Sequence, residues 1–311
     1  MDVLLLCPSG LATGGTEGIH NLTCHLNKVG ANAKILYIGR NRSNPQPKEY
    51  SKYGCEYLTE FPQGFKGVVV FPEVWGNQVI ESKYKDCTVV INWQGVDVYD
   101  WNVPERERGL YMGRPDTVHI ANSDYAMETL KKRGLNPIKI ADCLNDEFYT
   151  VSIDNTDRKD VVLYNPLKLK MTHFQETVMA RCNTELGIKF RMLTDYSRRE
   201  LIDIFRHSKL YIDFGQFSGR ERLPREAVMC GCCILTSNNG TAGYFNDNSI
   251  MEQYKPGTVI EAMWMVRQVL RNYTQCRQHF DLYRDLLKRD KEHYIDDVRG
   301  LYEIFSNHTR T

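Results

Sequence analysis

Three charged side chains, Arg222, Arg225 and Glu226, lie close together within the segment 214–231. A guanidinium group can form two parallel hydrogen bonds to a phosphate, so Arg222 and Arg225 are candidates for binding a diphosphate. A carboxylate can accept hydrogen bonds from a ribose diol, as acidic residues do in dinucleotide-binding folds, and Glu226 is the candidate for that role. The structural alternative is that Glu226 only complements the dipole of a helix from its first turn.

The surrounding elements should hold these residues at one edge of a parallel sheet. Residues 210–214 and 232–236 are short apolar runs typical of buried strands. Between them, Pro224 suits the first position of a helix and Gly231 suits its end. Ligands of open α/β sheets bind at the carboxyl ends of strands, and helix N-termini favour phosphate. The segment is therefore predicted to be a nucleotide-binding site.

The sequence LPREAVMCGCCILTS at positions 223–237 resembles the donor-binding motif of nucleotide-sugar glycosyltransferases with the GT-B fold, and is similar to that of glycosyltransferase family 4. The family pattern has two glutamates separated by seven residues, and Glu226 corresponds to the second, which holds the ribose. Ser218 or Gly219 stands at the place of the first, and Glu221 lies too close to replace it. The resemblance implies an α/β protein of two doubly wound Rossmann-like domains that face each other across a cleft.

Further donor-binding residues are expected in the loops that follow other strands. After a strand at 2–6, the resemblance places Gly14, Gly15, Thr16 and Glu17 opposite the donor diphosphate and sugar; the alternative is an ordinary tight turn, with Thr16 capping the next helix. After a strand at 161–164, it places basic residues near the phosphates. The candidates after that strand are Asn165, Lys168 and Lys170. Gly240, Thr241 and Ala242 follow the strand at 232–236, where glycines let backbone N–H groups approach an anion.

Acceptor-binding residues are expected after the strand at 87–92. Trp93 could offer a flat face to a sugar ring, with Gln94 and Asp97 as polar partners. Two alternatives remain open at this point: Trp93 could belong to the core, and Asp97 could cap a helix. If the reaction inverts the anomeric centre, a base must deprotonate the acceptor, and Asp97, Glu17 and His20 are the candidates.

Length and charge limit the other possibilities. A chain of 311 residues suggests two domains, predicted at 1–155 for the acceptor and 156–292 for the donor, with a helix at 293–311 returning to the first. Six strands are predicted in the first domain. Lys and Arg number 40 against 39 for Asp and Glu, which argues against nucleic acid as a partner. The spacing of Cys230, Cys232 and Cys233 is not that of a zinc site, so no metal site is expected.

The resemblance implies a hexosyl- or pentosyltransferase that uses a nucleotide-diphosphate sugar as substrate and needs no cofactor. The expected acceptor is a glycan or lipid-linked glycan, as in surface polysaccharide synthesis, which allows peripheral membrane contact. The protein is expected to be cytoplasmic, and transfer is expected to be retaining and metal-independent. The residues expected to take part in catalysis are Glu17, Asp97, Arg222 and Arg225. A nucleotide-sugar epimerase, a phage-type DNA base glycosyltransferase and a non-catalytic nucleotide-binding protein are the alternatives.

Overall fold

The structure is a computed structural model that describes residues 1–39, 43–153, 157–166 and 172–308. The chain forms two compact units. The first comprises residues 1–142 together with the segment that begins at Glu292, and the second comprises residues 143–291. The first unit ends at Asp142, before the boundary predicted at 155.

A seven-stranded parallel sheet organises unit 1. Its strands, in chain order, are β1 (Asp2–Pro8), β2 (Asn32–Ile38), β3 (Tyr57–Leu58), β4 (Val68–Pro72), β5 (Thr88–Trp93), β6 (Val118–Ala121) and β7 (Ile138–Lys139), and they are arranged in the sheet as β3-β2-β1-β4-β5-β6-β7. The helices of this part of the chain are α1 (Gly14–Lys28), α2 (Val96–Asn102) and α3 (Asp124–Lys132). The apolar runs predicted as strands are buried here as continuous strands, as expected for a parallel sheet covered on both faces.

A four-stranded parallel sheet organises unit 2. Its strands are β8 (Lys159–Tyr164), β9 (Lys189–Met192), β10 (Ser208–Asp213) and β11 (Cys233–Thr236), arranged as β11-β10-β8-β9. The helices are α4 (Asp146–Tyr149), α5 (His173–Leu186), α6 (Arg198–Arg206), α7 (Arg222–Met229), α8 (Val259–Arg271), α9 (Tyr273–Gln278) and the start of α10 (Asp281–His308). The predicted α/β class is confirmed by these two parallel sheets.

Several local predictions were wrong. The short edge strand β3 was not predicted, and it makes seven strands in unit 1 rather than six. The cap of α1 is Thr13, whose hydroxyl accepts from the backbone of Thr16 while the Thr16 side chain bonds back. Helix α7 begins at Arg222, so Pro224 is its third residue rather than its first. The helix predicted at 293–311 is part of a longer helix, α10, which begins at Asp281, because no glycine or proline lies between 281 and 293.

No helix in the described part of the chain combines the length and the apolar character needed to cross a membrane.

Candidate functional site

The order of strands in unit 2 creates a crevice at the carboxyl end of its sheet. The chain passes from β8 to β9 on one side and then returns to β10 on the other side of β8. Loops that follow β8 and β10 therefore leave the sheet in opposite directions, which is the place where open α/β sheets bind ligands. Asn165 directly follows β8, and residues 214–221 connect β10 to α7. Lys168 and Lys170, predicted beside Asn165, lie outside the described residues.

Four contacts hold the loop between β10 and α7 by its backbone carbonyl groups. The Ser237 hydroxyl donates to the Gly215 carbonyl at 2.6 Å, and the Thr241 hydroxyl donates to the Gly219 carbonyl at 2.6 Å. The guanidinium of Arg225 donates to the Arg220 carbonyl at 2.6 Å and to the Glu221 carbonyl at 3.1 Å.

These contacts fix the direction of the N–H groups of the same loop. In a trans peptide the N–H group of one residue points opposite to the carbonyl of the residue before it. The N–H groups of Glu221 and Arg222 therefore point away from the Arg225 guanidinium, at the N-terminal end of α7. Successive N–H groups turned to one side, next to a helix N-terminus, form a backbone site suited to an anion.

Arg225 has a different role from the one predicted. Its side chain is 1% exposed, and its guanidinium binds the two loop carbonyl groups described above. It therefore supports the loop from within unit 2 rather than facing a diphosphate, which corrects the prediction. Arg222, the first residue of α7, is buried to a lesser degree and remains the arginine candidate for contact with a phosphate.

Glu226 lies in the second turn of α7, not in the first, because the helix begins two residues earlier than expected. Its side chain belongs to the buried set, at 5% exposure. Burial, with a smaller contribution from the Glu226 charge, raises the pKa of Tyr196 to about 12. Tyr196 follows β9, so the carboxylate of Glu226 lies near the loop at the carboxyl end of that strand. A position in the second turn weakens the helix-dipole explanation, since that effect falls off beyond the first turn.

The loop at Gly240, Thr241 and Ala242 supports the loop between β10 and α7. Gly240 has a φ of 59°, and a Cβ atom there would lie 1.9 Å from the Phe217 carbonyl oxygen. The Thr241 backbone N–H donates to that same carbonyl at 2.8 Å, and Ala242 is fully buried. The glycine allows two backbones to approach closely. These contacts give the three residues a supporting role, and the donor contact predicted for them stays a prediction.

An open cleft of about 820 Å³ runs along β9 and α6 in unit 2. Thr194, Asp195 and Tyr196 line its end near the carboxyl edge of the sheet, and Arg191 and Arg199 line its side. Asp195 adopts a left-handed backbone with φ of 52°, uncommon for a residue other than glycine. Such conformations concentrate at functional sites, so the Asp195–Tyr196 turn is a second feature of interest at this edge.

In unit 1, the corresponding change of direction lies between β1 and β4. Gly14 and Gly15 form the first two residues of α1, which follows β1, so the N-terminus of this helix points to the carboxyl edge of the sheet. The Thr16 hydroxyl is buried and bonds with the Leu11 carbonyl and with the Tyr50 hydroxyl, both at 3.0 Å. Thr16 therefore ties the loop down, and Gly14 and Gly15 remain the candidates at the helix N-terminus.

Two of the predicted bases are buried and already engaged. Glu17 accepts from the Tyr53 hydroxyl at 2.8 Å and pairs with Lys52 at 3.5 Å. His20 is fully buried, and its ring nitrogens contact the Thr16 carbonyl at 2.7 Å and the Tyr37 hydroxyl at 2.6 Å. Burial lowers the pKa of His20, which keeps the ring neutral. The structure gives His20 a packing role, which corrects its prediction as a base.

Glu73, which sequence reasoning did not single out, directly follows β4 at the same edge of the sheet. Its side chain is buried and accepts from the Gln94 backbone N–H at 3.3 Å. Burial raises the pKa of Glu73 to about 7, although the N–H groups of Glu73, Gln94 and Gly95 act in the opposite direction. The signal available in the sequence was a carboxylate placed immediately after a predicted strand, where ligand-binding residues concentrate.

The three residues predicted to bind the acceptor have different environments in the structure. Trp93 is 0% exposed, and its indole N–H donates to His119 Nδ1 at 3.0 Å, so it belongs to the core and offers no face to a sugar. Asp97 accepts from the Tyr125 hydroxyl at 2.8 Å, and the cap position of α2 belongs to Gly95. Gln94 lies over α1, because a Cβ atom on Gly15 would stand 3.2 Å from its Oε1.

A small cavity of about 30 Å³, room for about one water molecule, lies beside Gln94 and between Asn92 and Asn122.

Cys230, Cys232 and Cys233 are buried, and burial raises the pKa of Cys232 to about 12. They pack as small apolar residues between α7 and β11. Among the described residues, no group of three or more His, Cys, Asp or Glu side chains is arranged to hold a metal ion.

Comparison of the sequence with protein-family models gives no match, and comparison with the sequences of curated proteins gives none either. The fold, by contrast, is similar to that of many solved structures. HepE of Anabaena in complex with UDP-glucose superposes with a TM-score of 0.70 at 12% identity, over 99% of this chain and 100% of that chain.

Two other solved structures match over nearly the full length of both chains. Sucrose-phosphate synthase from Thermosynechococcus elongatus has a TM-score of 0.70 at 10% identity, covering 99% of this chain and 98% of that one. The lipopolysaccharide outer core galactosyltransferase WaaB has a TM-score of 0.64 at 14% identity, covering 99% and 100%. The chain therefore has the GT-B fold, the α/β architecture shared by these glycosyltransferases.

Proposed function

We propose that this protein is a glycosyltransferase that moves a hexosyl or pentosyl group from a nucleoside-diphosphate sugar to a hydroxyl group of a glycan or lipid-linked glycan. The observation that carries the proposal is the loop before α7, whose carbonyl groups are bound from within and whose N–H groups at Glu221 and Arg222 point away from those contacts. The GT-B fold and a structural neighbour that contains UDP-glucose support it.

In this proposal the nucleotide binds at the carboxyl edge of the unit 2 sheet. The diphosphate lies at the N-terminus of α7, near Arg222, where the helix dipole and the turned N–H groups favour negative charge. Glu226 accepts the ribose hydroxyl groups, and the base lies toward Tyr196, whose pKa responds to the Glu226 charge. This arrangement supplies positive potential where negative charge develops on the leaving diphosphate.

Gly14, Gly15 and Gln94, with Asp97 nearby in sequence, are proposed to serve the transferred sugar and the acceptor from unit 1. Their support is the position of α1 and Gln94 at the carboxyl edge of that sheet. We propose in addition that the sugar is transferred with retention and without a metal, as the resemblance at 223–237 implies. Cytoplasmic location, a role in surface polysaccharide synthesis and peripheral contact with a membrane also remain proposals from the resemblance.

The test is the affinity of folded protein for UDP, GDP, ADP, CDP and dTDP by titration calorimetry, in chelator and again with Mn²⁺. At least one nucleotide should bind in chelator. Glu226→Gln, which keeps the shape of the side chain, should weaken binding of that nucleotide by ~2–4 kcal/mol, because two charge-assisted hydrogen bonds to the ribose are lost.

Glu185→Gln is the control, because Glu185 is an exposed glutamate in the last turn of α5, at the opposite end of that helix from the loop that follows β8. It removes a helix-terminal charge away from the candidate site, and its nucleotide affinity should equal that of the unchanged protein. Equal affinity in Glu226→Gln, with a lower melting temperature, would show that Glu226 serves the helix. Absence of binding by all five nucleotides would overturn the donor assignment.

A further inference from the structure

The loop before α7 has one more support, which comes from far along the chain. Arg220 Nη2 donates to Asp290 Oδ2 at 2.7 Å, across 70 residues of sequence. The side chains of Arg220 and Asp290 are only 7% and 18% exposed. Asp290 lies on α10, which the resemblance at 223–237 does not reach.

The ion pair restrains Arg220, the residue whose carbonyl Arg225 also binds. One contact fixes the side chain of Arg220 and the other fixes its backbone carbonyl. The carbonyl contact sets the plane of the peptide group between Arg220 and Glu221, and hence the direction of the Glu221 N–H group, while the ion pair restrains Arg220 through its side chain. The carboxylate also neutralises the guanidinium, so the effect of Arg220 on a bound anion is one of geometry more than of charge.

We propose that Asp290 is a positioning residue that acts through Arg220 to hold the loop 218–222 in the arrangement that receives the diphosphate. The identity of the ligand rests on the proposed function above, whereas the ordering of the loop does not. A buried ion pair stabilises little overall when compared with apolar packing, but removal of one partner leaves a buried charge without compensation. Loss of Asp290 should therefore release Arg220 and, with it, the loop.

The experiment compares Asp290→Asn, Arg220→Gln and the double variant with the unchanged protein. Hydrogen exchange of the peptide 214–222 is measured without nucleotide, and the affinity of the folded proteins for UDP is measured by calorimetry. Each single variant should exchange faster in that peptide and bind UDP about tenfold more weakly, the scale of coupling between neighbouring groups. The double variant should be no worse than either single variant, since both remove the same interaction.

Asp285→Asn is the control, because Asp285 is an exposed acid on the same helix. In the contacts described, its one partner is Lys288, in the next turn of α10. It should match the unchanged protein in both measurements. A lower melting temperature in Asp290→Asn with unchanged loop exchange and unchanged UDP affinity would reduce the pair to a general stabilising role and overturn the proposal.

Two other outcomes are also decisive. If Arg220→Gln weakens UDP binding far more than Asp290→Asn and the two effects add, Arg220 contacts the ligand itself and the positioning role is overturned. If the unchanged protein binds none of the five nucleoside diphosphates, the proposed function is overturned. In that case loop exchange in Asp290→Asn still decides whether the ion pair orders the loop: faster exchange upholds that role, and unchanged exchange overturns it.

Discussion

Glu73 is a carboxyl group held in the interior at the carboxyl edge of the unit 1 sheet, and its environment favours the protonated form. Its pKa lies at about 7 in the folded protein, against 4.5 for an unburied carboxyl group. The folded state therefore binds a proton more tightly than the unfolded state does. As the pH rises from about 4.5 to about 7, the unfolded chain loses this proton first, and the contribution of Glu73 to stability falls.

Glu73→Gln should remove this pH dependence, because the amide keeps an acceptor for the Gln94 N–H group and cannot ionise. The free energy of unfolding of the variant, relative to the unchanged protein, should rise by ~1.4 kcal/mol per pH unit across that interval. Urea unfolding at pH 5, 6, 7 and 8 measures it. The exposed Glu60→Gln is the control and should show no such trend.

The charged cluster at 222–226 shows what residue types alone could and could not reveal. Glu226 and Arg222 were predicted as site residues from their chemistry, and the structure keeps both at the edge of the unit 2 sheet. Arg225 has the same chemistry as Arg222 but binds backbone carbonyl groups in the interior. The residue at which α7 begins decides which arginine lies at the helix N-terminus and which lies in the interior. The helix begins two residues earlier than expected, so Pro224 is its third residue rather than its first.

At the level of secondary structure, Arg158 joins the ends of three elements in unit 2. Its Nη1 donates to the Phe205 and Ser208 carbonyl groups, both at 2.8 Å, and its Nη2 donates to the Cys230 carbonyl at 2.7 Å. These carbonyl groups lie near the C-terminal ends of α6 and α7 and at the start of β10. A cation at a helix C-terminus satisfies carbonyl groups that lack partners within the helix.

Arg158→Lys should destabilise the protein by ~2–4 kcal/mol, since a single ammonium cannot reproduce the fixed fork of a guanidinium at three carbonyl groups. Thermal and urea unfolding would measure the loss. Arg191→Lys, at an exposed arginine on β9, is the control and should lie within ~0.5 kcal/mol of the unchanged protein. Equal stability of the two variants would show that the backbone contacts of Arg158 carry no net free energy.

The sequence predicted those elements whose signal lies within a short stretch of chain. β1, β4 and β5 are continuous apolar runs, and Gly231 ends α7 with a φ of 80° as expected. The edge strand β3 has two residues, too few for any pattern to show. Arg158 and Asp290 were missed for another reason. The partners of Arg158 are 47, 50 and 72 residues away and that of Asp290 is 70 residues away, so only the folded chain brings them together. The stretch around Arg158 is polar and charged, and nothing in its composition indicated a buried cation.

At the level of the whole molecule, α10 belongs to two units. Its residues up to Lys291 belong to unit 2, and those from Glu292 belong to unit 1. In the second part, the buried side chains recur at helical spacing: Tyr294, Val298, Leu301 and Phe305. Asp297 also accepts from the Ala141 backbone N–H at 2.7 Å. This segment is therefore part of the fold of unit 1.

Val298→Asp should destabilise unit 1 selectively, because it places a charge at a position that is 0% exposed. Hydrogen exchange should accelerate in peptides that contain β1, while peptides that contain β10 keep their protection. Arg299→Asp, at the exposed neighbouring position, should leave both unchanged. Equal acceleration in β1 and β10 would mean that the two units open as one cooperative body.

The division of α10 also has a consequence for the order in which the protein is made. Unit 2 is one continuous stretch of chain, so all of its strands and helices are available once residue 291 has left the ribosome. Unit 1 contains β1, which is synthesised before any part of unit 2, yet it lacks the helix segment 292–308 until all of unit 2 has been synthesised. Of the two units, unit 1 therefore starts to emerge earlier and is completed later, and during that interval the apolar surface that packs against Val298 and Phe305 is exposed to chaperones and to other nascent chains.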